Sequence, residues 1–163
     1  MTLLHFTFGS EPILRSIMGK HPDRQLQLYQ ASNFSSKIML FDFSGGKSIF
    51  AAPVTLDILA HTNGREYRGV MLYQSFEVNA DKQDYLLSSV KKALTSLPAN
   101  SNAGLMSCLK DRKKSSTIVL ISFWNDLKSI GEWKESSDYS PLLPFIDKSP
   151  DHDYFEELYN PIR

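Results

Sequence analysis

SSTIVLISFWNDLKSIGEWKESSDY, residues 115–139, decides the fold because its pattern changes from that of a strand to that of a helix. Its first half is rich in β-branched and aromatic residues and has no Gly or Pro, which is typical of a buried strand. Leu127, Ile130 and Trp133 then recur at helical spacing, and we expect Asn125 to cap the first turn. The segment therefore predicts a strand followed by an amphipathic helix that carries a tryptophan.

The composition is that of a globular chain with no excess charge. The 163 residues include 42% hydrophobic and 22% charged residues, enough for one compact unit or for two small halves that share a core. Acidic and basic residues balance at 18 each, so no global field attracts nucleic acid, and we expect the basic run at 110–114 to be a solvated turn. Nucleic acid is therefore not an expected partner.

The single cysteine and the apolar runs bear on the compartment. Cys108 has no second cysteine to pair with, which favours a reducing environment, and without a Cys/His signature it is interpreted as a small buried hydrophobe. No apolar run reaches the length of a transmembrane segment, and the first residues lack a signal-peptide pattern. We expect a cytoplasmic protein.

The order of the predicted elements indicates the fold class. From residue 69 onwards the pattern predicts strand, helix, strand, strand, helix and strand, which is the ferredoxin-like order. The N-terminal part predicts strand, helix, three strands and a short helix, a degraded copy of the same plan. We predict an α+β fold in which two ferredoxin-like halves, residues 1–67 and 68–163, share one core. A monomer is favoured, with a homodimer as the alternative.

Three local predictions concern the pieces that join these elements. The glycines at 45 and 46 predict a hairpin turn, after which residues 48–51 pair back as a strand. Residues 53–61 are compatible with a short helix. The aromatic tail, residues 153–159, is expected to form an edge strand or a closing arm.

Four stretches carry a resemblance to a known family. They are HFTFGSEPILRSIMGKHPDRQLQLYQAS at 5–32, FDFSGGKSIFAAP at 41–53, the pair Trp124 and Trp133, and DYFEELYNPIR at 153–163. Together they resemble the antibiotic biosynthesis monooxygenase (ABM) superfamily, in the branch of HmoB-type haem-degrading monooxygenases and the signal transduction protein TRAP. The resemblance implies a dimeric-type α+β barrel, here closed within one chain.

The resemblance also implies a site between the sheet and the helices. Haem-degrading members have an asparagine on the strand that opens the ferredoxin-like unit, a tryptophan on the last helix and an iron-ligating histidine ten residues further on. Trp133 matches the tryptophan. Leu143 stands where the histidine is expected, and Gln74 or Ser75 where the asparagine is expected, so neither position matches.

Three residues are candidates for binding a cofactor, and each has a plainer interpretation. Trp133 is either the wall of a pocket or core packing. Gln74 either orients a ligand or points to solvent from its strand. His152 is the best placed of four scattered histidines to ligate haem, but none of them forms a pair with metal-ligand spacing, so no metal site is predicted.

The candidates leave the function open, and whether the protein is an enzyme at all is uncertain. One alternative is a monooxygenase that binds haem or another flat apolar molecule. A second is a non-catalytic, TRAP-like regulatory or stress-response protein that keeps the fold without the active site. A third is a cofactor-independent oxygenase whose substrate supplies the electrons.

Overall fold

The computed structural model describes residues 3–34, 36–62, 69–96, 103–113, 116–147, 149–150 and 152–163, and for 103–110 the backbone alone. The side chains of Cys108 and of Lys110 and Lys114 in the basic run, and the predicted boundary between the halves at 67/68, lie outside the described part. In the described residues no helix is both long and apolar enough to cross a membrane.

Eight strands of the described chain form one closed barrel, in the order β1-β3-β2-β8-β5-β7-β6-β4. The strands are β1 Leu3–Phe8, β2 Leu26–Ala31, β3 Ile38–Asp42, β4 Val54–His61, β5 Val70–Val78, β6 Ala103–Asp111, β7 Thr117–Trp124 and β8 His152–Ile162. The helices are α1 Glu11–Lys20, α2 Gln83–Thr95 and α3 Leu127–Glu135, with 3-10 helices at Ala80–Lys82 and Ser137–Phe145.

The barrel consists of two ferredoxin-like sheets placed edge to edge. The N-terminal strands lie in the order β4-β1-β3-β2 and the C-terminal strands in the order β8-β5-β7-β6, so each set follows the same 4-1-3-2 arrangement of its own strands. The pairs β2–β8 and β4–β6 join the two sheets. The α+β barrel predicted within one chain is confirmed.

The C-terminal sheet is covered on both faces, which explains the continuous apolar run of β7, where every residue is buried. Along β5, Leu72 and Phe76 pack under the helices. Met71 and Tyr73 alternate with them and face the barrel interior. Two cores therefore lie back to back, separated by one sheet.

Two local predictions for the N-terminal half are wrong. Residues 53–61 form strand β4, which pairs with β1 and β6, because closing the barrel requires a strand there whatever the local helix propensity. Residues 48–51 do not form a strand. They belong to the connection between β3 and β4.

The aromatic tail is not an edge strand. It forms β8, which hydrogen-bonds to β2 on one side and to β5 on the other. It is thus the closing arm, since it completes one of the two seams of the barrel.

The cap of α3 also differs from the prediction by one residue. Asp126, not Asn125, is the N-cap, and its Oδ1 accepts a hydrogen bond from the Ser129 N–H at 2.7 Å. The carboxylate at the helix start also interacts favourably with the helix dipole.

Candidate functional site

Trp133 lies in the layer between the sheet and the helices, where the resemblance places the family's pocket. Helix α3 carries it, and its side chain is 6% exposed. Its ring centroid lies 5.2 Å from that of Trp124 and 4.7 Å from that of Tyr139, the latter edge-on at 89°. Aromatic rings thus contact the indole from two directions.

Gln74 is fully buried in the same layer. Its Nε2 donates hydrogen bonds to the hydroxyl groups of Tyr139 at 3.0 Å and Tyr154 at 2.9 Å. The interpretation that Gln74 points to solvent is wrong, because this face of β5 is covered by helices. Tyr139 contacts both Gln74 and Trp133 and so brings the two predicted residues together.

The hydrogen bonds continue from Gln74 to the surface. The Tyr154 hydroxyl donates to Glu156 Oε1 at 2.6 Å, and Lys134 Nζ donates to the same carboxylate at 2.6 Å. Burial raises the pKa of Tyr139 to about 12, and burial together with the bond to Glu156 raises that of Tyr154. Both tyrosines are therefore neutral phenols at neutral pH.

Two buried polar atoms of this layer have no hydrogen-bond partner in the described part of the protein. They are Gln74 Oε1, an acceptor, and Trp133 Nε1, a donor. An unpaired buried polar group costs about 1–3 kcal/mol. These two atoms are the feature of the layer that is consistent with a small polar molecule bound there.

His152 does not join this group. It lies opposite Val78 in the β5–β8 ladder, whereas Glu156 lies opposite Gln74, so about 13 Å of strand separates the two positions. The imidazole Nε2 is hydrogen-bonded to the carbonyl of Asp147 and lines a separate surface depression of about 440 Å³.

The described side chains of this layer do not fit a haem iron. Leu143, at the predicted histidine position, is 52% exposed on the 3-10 helix Ser137–Phe145. The buried tyrosines are neutral and therefore poor iron ligands. No group of three or more His, Cys, Asp or Glu suited to a metal ion occurs among the described residues.

A second candidate site lies inside the barrel, and nothing in the sequence pattern indicated it. It is an open cavity of about 310 Å³. Its lining residues come from seven strands and from Lys37, which directly precedes β3: Phe6, Phe8, Lys37, Met39, Val54, Tyr73, Ser75, Glu77, Asp111, Thr117, Asp153, Tyr154, Phe155 and Tyr159. We call this cavity the barrel mouth. Its volume is at the lower end of the range for small-molecule pockets.

Lys37 lies at the aromatic wall of the barrel mouth. Its Nζ is 5.7 Å from the ring centroid of Phe8, 5.5 Å from that of Phe155 and 5.7 Å from that of Tyr159. It also forms an ion pair with Glu157, which accepts a further hydrogen bond from the Tyr159 hydroxyl. The ammonium charge is thereby neutralised while the rings surround it.

Comparison with known proteins identifies the fold. No family model matches the sequence. A major regulator of staphylococcal pathogenesis is similar in structure, with a TM-score of 0.76, 18% identity, and coverage of 99% of this chain and 100% of that chain. A monooxygenase-like protein from Listeria innocua has a TM-score of 0.78, 16% identity, and coverage of 98% and 93%.

A haem-degrading enzyme from Listeria monocytogenes is similar over almost the same length, with a TM-score of 0.74, 17% identity, and coverage of 97% of this chain and 98% of that chain. A further ferredoxin-fold protein from that species is described as related to antibiotic biosynthesis monooxygenases, with a TM-score of 0.77 and 17% identity. The chain therefore has the same ferredoxin-like α+β barrel fold as these proteins.

Proposed function

We propose that the protein is a non-catalytic member of this fold group, with a regulatory role, that keeps the barrel and its helical layer without a haem-degrading site. The observation that carries the proposal is the packing around Trp133. Trp124 and Tyr139 contact the indole from two directions. A residue enclosed in this way contributes to stability in the manner of an ordinary core side chain.

The missing ligand supports the same proposal. An exposed leucine replaces the histidine, and imidazole binds iron through a lone pair that a leucine does not have. Among the solved structures, the staphylococcal regulator covers this barrel from end to end, and its description is that of a regulator. The haem-degrading enzyme matches the chain over a similar length, so we extend the regulatory role to this chain on the unmatched iron ligand together with the regulator's description.

A haem titration tests the proposal. We expect no saturable shift of the haem absorption band with the wild-type protein, and no consumption of haem with ascorbate under air. Leu143→His serves as a matched variant, because it places an imidazole at the position where the resemblance implies the histidine, on a side chain that is half exposed. We expect it to remain inactive. Stoichiometric binding by the wild type, weakened by Trp133→Phe, would overturn the proposal.

The two unpaired atoms favour a second candidate, a small-substrate oxygenase that needs no metal. Gln74 Oε1 and Trp133 Nε1 are a buried acceptor and a buried donor beside the same tyrosine, an arrangement suited to hold one polar molecule. An oxygen electrode with a hydroquinone probe tests this candidate. Uptake that is lost in both Gln74→Leu and Trp133→Phe would favour it, and no uptake by the wild type would exclude that substrate class.

We also propose that the protein is a monomer. The barrel is closed by β2–β8 and β4–β6 pairing within one chain, so it does not need a second copy to complete its sheet. Size-exclusion chromatography with light scattering should give the mass of one chain, and a stable dimer over the whole concentration range would contradict this.

A further inference from the structure

We infer that the barrel mouth binds an organic ammonium ion with an aromatic body, such as an arylalkylamine. The site lies on the opposite face of the sheet from the layer around Trp133, and Tyr154 belongs to both. The inference is independent of the proposed function, because it holds whether or not the layer around Trp133 binds a ligand or catalyses a reaction. It rests on three observations. The first is a row of polar residues at the rim, formed by Glu77, Asp111, Thr117 and Asp153, and the others are an unpaired hydroxyl in that row and an aromatic wall.

The row crosses four neighbouring strands. Glu77 of β5 pairs with Thr117 of β7 on one side and with Asp153 of β8 on the other. Asp111 of β6 follows Lys110, the partner of Ile118, and so lies beside Thr117. All four side chains of the row line the cavity. Three carboxylates and one hydroxyl therefore face the same opening.

No basic side chain that the structure describes forms an ion pair with the carboxylates of the row. Glu77 and Asp153 are directly opposite each other, a like-charge pair that destabilises a sheet. Lys37, which lines the cavity, is paired with Glu157. A bound cation would relieve the repulsion and gain charge-assisted hydrogen bonds.

The Asp111 carboxylate also acts on Tyr73, which lines the cavity. Burial raises the pKa of Tyr73, and the nearby Asp111 carboxylate raises it further. The two groups are therefore close enough for their charges to interact. The neutral Tyr73 hydroxyl can accept a hydrogen bond from a cation, and the nearby Asp111 carboxylate disfavours an anion.

Thr117 is the second observation, and it is independent of the acids. Its side chain is 5% exposed, and Oγ1 has no hydrogen-bond partner among the described residues. A buried hydroxyl normally has a hydrogen-bond partner, because leaving it unpaired is unfavourable. In the middle of a row of carboxylates it is placed to accept a hydrogen bond from an ammonium group that enters the cavity.

The aromatic wall determines the body of the ligand. Phe6 and Tyr73 meet edge-on at 6.1 Å inside the mouth, and Tyr73 and Phe155 meet at 6.4 Å. The wall already holds one ammonium, that of Lys37, near three ring centroids, so its chemistry suits cations. A cavity of about 310 Å³ has room for one substituted ring with a short amine arm and not for a haem.

The experiment uses three probes of the same size. Phenethylammonium carries the charge, 2-phenylethanol is neutral, and 3-phenylpropionate carries the opposite charge. We expect calorimetry to give an affinity for the ammonium at least roughly tenfold above that for the alcohol, with no measurable binding of the carboxylate. Amide NMR shifts should map to the rim ends of β5, β7 and β8.

Variants distinguish a loss of binding caused by removing charge from a loss caused by unfolding. The double variant Glu77→Gln with Asp153→Asn should weaken ammonium binding by roughly tenfold or more, and it should melt no lower than the wild type because a repulsion is removed. Thr117→Val should weaken binding about threefold with unchanged or higher stability. Glu132→Gln, which alters an exposed acid on α3, is the matched control and should bind normally.

Three outcomes would overturn the inference. They are absence of ammonium binding to the wild type at millimolar concentration, equal binding of the ammonium and the alcohol, or shifts that map to the helical layer. None of them changes the result of the haem titration, so the two proposals fail separately.

Discussion

Trp124 and Trp133 form a matched pair that tests whether Trp133 is packed core or the wall of a site. Both are nearly fully buried in one layer, with their rings 5.2 Å apart. Trp124 Nε1 donates to Ser122 Oγ at 2.7 Å, whereas Trp133 Nε1 has no partner in the described residues. Replacing each tryptophan by Phe removes the same atoms. In Trp124→Phe a hydrogen bond is lost, whereas in Trp133→Phe an unpaired buried N–H is removed.

The expected magnitudes follow from these contacts. Trp→Phe removes about 40 Å³, which costs about 1 kcal/mol at either position at ~24 cal/mol per Å³ of cavity. In Trp133→Phe, losing an unpaired buried N–H recovers about 1–3 kcal/mol, so the free energy of unfolding should stay level or rise. In Trp124→Phe, a lost hydrogen bond and an unpaired Ser122 hydroxyl bring the total cost to about 3 kcal/mol.

Urea denaturation followed by fluorescence measures the difference, because each variant keeps one tryptophan. With a slope of about 2 kcal/mol per M, a difference of about 3 kcal/mol separates the two midpoints by about 1.5 M. Circular dichroism should show the same secondary structure in both variants, and the slopes should agree.

The reasoning is refuted if Trp133→Phe costs as much as Trp124→Phe, or more. The Trp133 N–H would then have a partner in solution, and the residue would have to be counted as the wall of an occupied site. That result would also weaken the proposal of a non-catalytic protein, since it would identify a bound molecule in the helical layer.

Three further predictions concern stability. Gly69 has φ +85°, and an added Cβ would lie 2.1 Å from a backbone oxygen of the neighbouring strand, so Gly69→Ala should cost about 3 kcal/mol or more. Gly19 of α1 has open space around it, so Gly19→Ala should stabilise the protein by about 0.5–1 kcal/mol. Thermal denaturation compares the two variants. Asp126→Ala should lower the melting temperature and Asn125→Ala should not. Because the bond from the Ser129 N–H lowers the Asp126 pKa below 3.8, this contribution is present above that pH and lost as pH falls further. Burial raises the pKa of Tyr139 from 10.0 to about 12, so its contribution is complete below pH 10 and lost as pH rises towards 12, and Tyr139→Phe should flatten the decline in melting temperature over that range.

Local pattern predicted much of the element order. The strand, helix and strand predicted at the start of the chain appear as β1, α1 and β2, and the strand-to-helix change in residues 115–139 appears as β7 followed by α3. These features depend on side-chain periodicity and helix capping, which involve residues close together in the chain. The same logic failed at residues 53–61, because pairing with β1 and β6 outweighed local helix propensity.

The sequence alone determined the α+β class, the ferredoxin-like order of the C-terminal half and the importance of Trp133 as a large side chain on an amphipathic helix. Only the tertiary structure decided that Gln74 is buried beside Tyr139, that His152 lies apart from it, and that a polar row surrounds the barrel mouth. That row joins residues 77, 111, 117 and 153, which become neighbours only when the four strands of the C-terminal sheet pair. Periodicity depends on near neighbours in the chain, whereas burial, hydrogen-bond partners and cavities depend on contacts between residues tens of positions apart.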